Sequence, residues 1–271
     1  MKQTIRLSEG CPHSCPFCFN GKKEFKELPM QRPIKSNNVI IHDDAFLSKR
    51  NVLTFIKFLG KTKVNNKCVY YELTQGINVK DLNQDIANAL YKNRFKNIRI
   101  AWDGSYSKKN MQIVYDGIKY LNNAGYKNKN IMCFILSNYY VSIVECVLKA
   151  KIMLKKNIIV CNCVYRKNYL DPKIYPEHWT MKEIELFKED CRTNNQLIIY
   201  DGYDPEIEKR LIRKKDGGTY ENNLPSKNNN FASQPSNEGD IIIAKSNKIL
   251  TDFTSDSSSK DGRTFANAKG N

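Results

Sequence analysis

Apolar residues recur along the first 200 positions in two alternating rhythms. Short runs rich in β-branched and aromatic residues stand at 3–7 (QTIRL), 38–41 (NVII), 68–74 (CVYYELT), 97–102 (NIRIAW), 131–136 (IMCFIL) and 157–165 (NIIVCNCVY). Such runs predict strands. Longer stretches between them place apolar side chains three and four positions apart. In 47–59 these are Leu47, Val52, Phe55, Ile56 and Leu59, and in 79–93 they are Val79, Leu82, Ile86, Ala89 and Leu90. In 111–124 they are Met111, Val114, Ile118, Leu121 and Ala124, and in 141–154 Ile143, Val144, Val147, Leu148 and Leu154. That period predicts helices with one buried stripe. Gly125 follows the third stretch as a helix C-cap.

From the second strand on, strand starts recur every 26–34 residues. Strands alternating with helices at this spacing predict an α/β fold with a parallel sheet. At this level an open doubly wound sheet and a barrel look alike. No G-x-G-x-x-G turn follows the first strand, which weighs against a dinucleotide fold. Residues 180–195 read as helix, and 196–200 (QLIIY) as a further strand or edge. The expected organisation is a core over 1–200, a short charged helical extension over 201–215 and a flexible tail over 216–271. The tail is rich in Asn, Ser, Lys and Gly and has too few apolar residues to offset the entropy of ordering. Its one apolar run, DIIIAK at 240–245, predicts an added strand.

The chain has 271 residues, enough for one large domain or two small ones. No apolar run follows the opening MKQTIR, and no stretch reaches the length of a membrane span. The expectation is a cytoplasmic protein with no membrane partner. The net charge is +16, and the excess belongs to 1–215, with 38 Lys/Arg against 21 Asp/Glu. A basic core attracts polyanions such as nucleic acid or an acidic peptide. Lysines scattered without a dense block also fit a plain solvated surface.

The chemistry concentrates in residues 9–20, EGCPHSCPFCFN. Cys11, Cys15 and Cys18 fall in one short loop directly after the first strand. In parallel α/β folds, ligands gather at the carboxyl ends of strands. Pro12 and Pro16 restrict the loop, which suits wrapping around a compact inorganic centre. Thiolates ligate iron–sulfur clusters, and three of them leave one iron of a cube open. Zinc is the alternative, with Cys11, His13, Cys15 and Cys18 as four ligands of a structural knuckle on a nucleic-acid-binding module. Four ligands within eight residues depart from the usual split into two pairs. Cys161 and Cys163 are two apart on a predicted strand, so they share a face. Cys68, Cys133, Cys146 and Cys191 show no ligand spacing. With three histidines in the chain, no Ser-His-Asp pattern stands out.

A C-x-x-x-C-x-x-C motif after the first strand, with aromatic Phe17 before the third cysteine, resembles the radical S-adenosylmethionine superfamily. The resemblance covers about residues 1–170. It implies a partial (βα)6 TIM-like barrel and an enzyme that cleaves S-adenosylmethionine reductively to a 5′-deoxyadenosyl radical, which abstracts a substrate hydrogen. It implies a [4Fe-4S] cluster on Cys11, Cys15 and Cys18, with Phe17 at its edge. S-adenosyl-L-methionine would be the cosubstrate, and a flavodoxin- or ferredoxin-like protein the external one-electron reductant. The loop after the second strand offers Asp43 and Asp44, in place of the common Gly-Gly-Glu, to the methionine amino group. The third strand's end offers Glu72, Thr74 and Gln75, and the fourth's offers Asp103 to the ribose. Ile135 and Leu136 would pack on adenine, with Ser137 and Asn138 at the mouth and Arg166 after the sixth strand. His42 stands beside the same edge, while His178 reads as a loop or cap residue. The substrate and the outcome of the reaction are not written in the sequence.

Overall fold

The computed structural model describes residues 2–13, 15, 17–18, 23–30, 32–139, 141–165 and 179–200. The expected extension over 201–215, the tail, the strand at 240–245, Arg166 and His178 lie outside the described residues. Six principal strands form where the sequence predicts them: β1 (Gln3–Ile5), β2 (Asn38–Ile41), β3 (Tyr70–Leu73), β4 (Ile98–Trp102), β5 (Ile131–Ser137) and β6 (Ile159–Val164). The helices are α1 (Val52–Lys61), α2 (Gln84–Lys92), α3 (Lys108–Ala124), α4 (Ile143–Lys155) and α5 (Met181–Tyr200).

Strands β1, β2 and β3 pair in parallel in chain order, as do β4, β5 and β6. The two sets meet through short pieces. Phe95–Lys96, just before β4, pairs with β3, and Ile77–Asn78, just after β3, pairs with β4. Asn97 and Gly76 have positive φ (51° and 83°) and absorb the offset between these pieces. Arg99 bridges the same gap, donating to the Leu73 carbonyl (3.2 Å) and to Glu72 Oε1 (2.6 Å).

Sequential parallel order decides between the two architectures left open by the sequence. A doubly wound sheet reverses its strand order at a switch point. Here the order never reverses, so right-handed crossovers carry every helix to the same face. The other face must curl on itself, which makes the fold a partial (βα)6 barrel. Among the described residues, β1 and β6 are its open edges.

Side-chain alternation follows this division. Val39, Ile41, Tyr71, Leu73, Ile98, Ile100, Ile131, Cys133 and Val160 are buried on the helix side. The Tyr71 hydroxyl donates to the Leu59 carbonyl of α1 at 2.8 Å, which fixes that side. Ile40, Glu72, Arg99, Ala101, Met132, Phe134, Cys161 and Cys163 alternate to the inner side and are half-buried. Cys161 and Cys163 therefore share the inner face, as their spacing predicts.

Helix boundaries follow local capping. The 79–93 stretch breaks into a turn, Val79–Asp81, and α2, because the Asn83 side chain accepts from Ile86 N and restarts the helix. The 47–59 stretch likewise divides into a turn, Phe46–Ser48, and α1. Gly125 closes α3 in the left-handed conformation (φ 115°). Residues 196–200 are the correction, since they finish α5 rather than forming a strand. Asn195 of α5 accepts from Val160 N (2.8 Å) and donates to Val160 O (2.6 Å). One side-chain amide thus occupies the exposed edge of β6 where a further strand would pair. Among the described residues, no helix is long and apolar enough to cross a membrane.

Helix α3 packs closely on the Val79–Asp81 turn through Gly117. A Cβ at Gly117 would stand 2.2 Å from Val79 Cγ1. Gly117→Ala should therefore destabilise the fold by about 1–3 kcal/mol, despite alanine's better helix propensity. Urea unfolding followed by circular dichroism reads this. A gain in stability would show that the two elements can move apart at no cost.

Candidate functional site

The cysteine loop begins as the end of a ribbon. Ser8–Glu9 pairs antiparallel with Lys26–Glu27, and Cys11 N donates to the Lys23 carbonyl at 3.3 Å. Gly10 sits at the bend with φ 71°, where a Cβ would stand 2.2 Å from the Glu24 carbonyl oxygen. Only glycine fits this bend, because the returning backbone passes through the space of a side chain.

Two contacts then pin the loop across the carboxyl ends of the strands. His13 Nε2 lies 2.7 Å from Asp81 Oδ2, in the turn that follows β3. Phe17 meets Tyr139, just past β5, edge to face with centroids 5.6 Å apart. Tyr139 in turn meets Tyr165, past β6, at 4.6 Å. One short loop is thereby held from both sides of the barrel mouth.

The three thiols are half-buried and unpaired with one another. Burial pushes the thiols of Cys11 and Cys15 upward. The charges of neighbouring cysteines and of Asp44, Asp81 and Asp103 add to this. A metal that binds here must displace these protons, so binding releases acid.

The His13–Asp81 contact does not count against zinc, because a metal-bound histidine usually holds a carboxylate on its other ring nitrogen. Among the described residues, no three His, Cys, Asp or Glu side chains converge on a single ion position. A mononuclear site needs its ligands in one coordination sphere, whereas a four-iron cube takes each thiolate on a different iron.

The other expected residues divide into two groups. Asp44, Gln75 and Asp103 reach the rim. Asp44 Oδ2 receives Arg6 Nη2 at 3.2 Å, and its charge acts on Cys11. Gln75 Nε2 lies 2.8 Å from His42 Nε2, with both side chains exposed. Asp103 is open to solvent, yet the surrounding wall of protein strips part of its hydration. That desolvation raises its carboxyl to about 6, opposed by the Lys149 and Lys80 cations. Ser137 and Asn138 are buried at the end of β5, and Ser137 Oγ and Asn138 Oδ1 have no hydrogen-bond partner among the described residues. Thr74 Oγ1, past β3, is in the same condition. Leu136 is also buried. Unpaired buried polar groups are uncommon in proteins, and these three stand at the end of the barrel where the cysteine loop lies.

Asp43, Ile135 and Glu72 differ from expectation. Asp43 is enclosed, with Oδ1 accepting from Leu7 N (2.7 Å) and Ser8 N (3.1 Å). Its Oδ2 faces Lys49 Nζ at 3.6 Å, and both side chains are almost fully buried. It holds the base of the cysteine ribbon through Oδ1 and is enclosed rather than at the rim. Ile135 is fully buried and lies on the helix side, with Trp102 as its strand partner. Glu72 lies within β3, committed to Arg99 and to Lys2 (3.3 Å), so it belongs to the barrel interior.

Lys149 escaped the sequence reading. It is fully buried in α4 and donates to the Gly104 carbonyl, fixing the turn that carries Asp103. A lysine among apolar helix positions was its only signal. Asp81 and Tyr139 also gave none, because their roles depend on partners far away in the chain.

No family model matches this chain, and no curated protein matches it. Several solved structures are similar to it, two of them as follows. One is TsrM, a radical S-adenosylmethionine methyltransferase from Kitasatospora setae with cobalamin and a [4Fe-4S] cluster bound. The TM-score is 0.45 and the identity 9%, over 59% of this chain and 36% of that one. The other is HydG, a maturase of the [FeFe]-hydrogenase, with a TM-score of 0.44 and 12% identity. That match covers 72% of this chain and 50% of HydG. The chain spans half or less of the length of either structure.

Lys49→Met leaves the Asp43 carboxylate enclosed without its cation. Breaking a buried pair this way costs about 3–5 kcal/mol. Denaturant unfolding should show that loss. A change within about 0.5 kcal/mol would mean that the pair does not hold the ribbon's base.

Proposed function

We propose that this chain is a radical S-adenosylmethionine enzyme of one core domain. The observation that supports it best is the cysteine loop, pinned by His13–Asp81 and Phe17–Tyr139 over the carboxyl end of a sequential parallel barrel. Cys11, Cys15 and Cys18 would hold a [4Fe-4S] cluster. Three thiolates on a four-iron cube would leave one iron open for the cosubstrate. When bound, the cluster with S-adenosylmethionine supplies reductive cleavage of the sulfonium, giving methionine and a radical that takes hydrogen from a substrate.

This chain's own residues supply position and exclusion. Phe17, backed by Tyr139 and Tyr165, covers one flank of the loop with rings. Asp44, Gln75 and Asp103 are the rim groups able to hold the cosubstrate's amino and hydroxyl groups. Asp43 acts one step removed, by fixing the ribbon from which the loop springs. An external one-electron donor would be required, because each reductive cleavage consumes one electron. The substrate would enter through the barrel's inner face, where Met132, Phe134, Cys161 and Cys163 are half-buried.

Anaerobic reconstitution with iron and sulfide, then dithionite and S-adenosylmethionine, tests the reading through release of 5′-deoxyadenosine. The wild type should bind about four irons per chain and form that product. Cys11→Ala, Cys15→Ala and Cys18→Ala should each lose both. Full iron content and turnover in Cys15→Ala, or bound zinc with no cleavage, would sink it.

Gly10→Ala provides a geometric check. It should keep the circular dichroism spectrum while taking up several-fold less iron, since the bend must open. Unchanged iron uptake would mean that the loop tolerates a different path.

A further inference from the structure

At the opposite end of the barrel lies a second site. The amino ends of β1 and β2 and the hairpin formed by Lys63–Val64 and Lys67–Cys68 enclose an open pocket of about 650 Å³. Lys2, Arg32 and Lys35 line it together with Asn37, Asn38 and Asn65, and among the described residues no carboxylate lines it. Glu72 holds Lys2 at 3.3 Å and is itself committed to Arg99.

The pocket is built rather than incidental. Asn65 and Asn66 both have positive φ (50° and 60°), as a tight two-residue hairpin turn requires. Asn37 Nδ2 lies within 3.2 Å of the carbonyls of Val64, Lys67 and Cys68, which clamps the hairpin against β2. Gln3 accepts from Lys35 N (2.7 Å) and donates to the Pro33 carbonyl (3.1 Å), which clamps the opposite wall.

Apart from Glu72 on Lys2, the segments that wall the pocket are basic. Residues 28–42 contain Arg32 and Lys35 and no Asp or Glu, and residues 45–71 contain six Lys/Arg and no Asp or Glu. Helix α1 runs directly into the hairpin and carries Phe58, 56% exposed, between Lys57 and Lys61. Cations that track a phosphate backbone, with an aromatic face for a base, are the usual parts of a single-strand site.

We infer that this end of the barrel binds the phosphodiester backbone of a single-stranded nucleic acid, with Arg32 and Lys35 on phosphates and Phe58 under a base. The inference does not rest on the cluster chemistry, which lies at the other end. It survives even if the cysteine loop proves to hold no iron.

Fluorescence anisotropy with a labelled 20-nucleotide single-stranded RNA, titrated across a salt series, tests it on the full chain. Each neutralised phosphate contributes about −0.7 to the slope of log K against log salt for single strands. Arg32→Gln with Lys35→Gln should make the slope shallower by about 1.4 and weaken binding about tenfold at moderate salt. Phe58→Ala should weaken binding about tenfold and leave the slope unchanged. Lys119→Gln with Lys182→Gln, which removes the same charge from exposed helix positions elsewhere, should leave both unchanged. Equal thermal midpoints for all variants make the comparison one of binding alone. The inference is overturned if wild type does not bind the RNA, or if the Lys119/Lys182 pair weakens it as much. It is also overturned if inorganic pyrophosphate or polyglutamate competes as well as unlabelled RNA.

Discussion

Six parallel strands laid down in chain order, each joined to the next by a same-handed crossover, leave one face of the sheet with no helix to cover it. This constraint governs the rest of the molecule. The helix-side residues of β2 to β5 are apolar and buried, and they supply the core. The inner face carries a mixed set that an ordinary core would not tolerate: the Glu72–Arg99 pair beside Met132 and Phe134, and two thiols. Curling the sheet shelters that set without sealing it, and a sheltered, half-polar interior is what a ligand needs. The Glu72–Arg99 pair also closes the seam between β3 and β4, so one interaction serves both the sheet and the interior.

The cysteine loop depends on the same geometry. A loop of this length has little structure of its own beyond two prolines, and its position is borrowed from the barrel. The ribbon base is fixed by Asp43 and Lys49, one flank by Asp81 and the other by Tyr139. These groups come from segments after β2, β3 and β5, which are neighbours only because the strands are in order. Chemistry at this mouth is therefore a property of the whole array rather than of the motif.

Much of the fold was legible in the sequence for a simple reason. Period-2 and period-3.6 patterns report burial on one face, and burial on one face is what the barrel imposes on β2, β4, α3 and α4. The pattern failed where a single polar side chain outweighed it. Asn195 takes the edge of β6 and leaves 196–200 to the helix, although β-branched residues there favour a strand. Asn83 splits one apolar period into a turn and a helix. In the site, the cysteines and the rim position of Asp103 could be read from their place after a strand. Asp43 could not be separated from Asp44, because adjacent carboxylates look alike until the backbone turns one inward. Ile135 went astray for the same reason, since one step along a strand changes its face.

The pinned loop has a bearing on biosynthesis. The thiol-bearing segment is made before the rest of the barrel, and Tyr139 follows 122 residues after Phe17. At bacterial-to-eukaryotic elongation rates that interval lasts roughly 6–25 s. Until Tyr139 emerges, the ring contact that holds the far flank of the loop does not exist. A newborn chain therefore displays its three thiols to oxidants, and to any delivery system for metal, before the mouth that will hold them has been built.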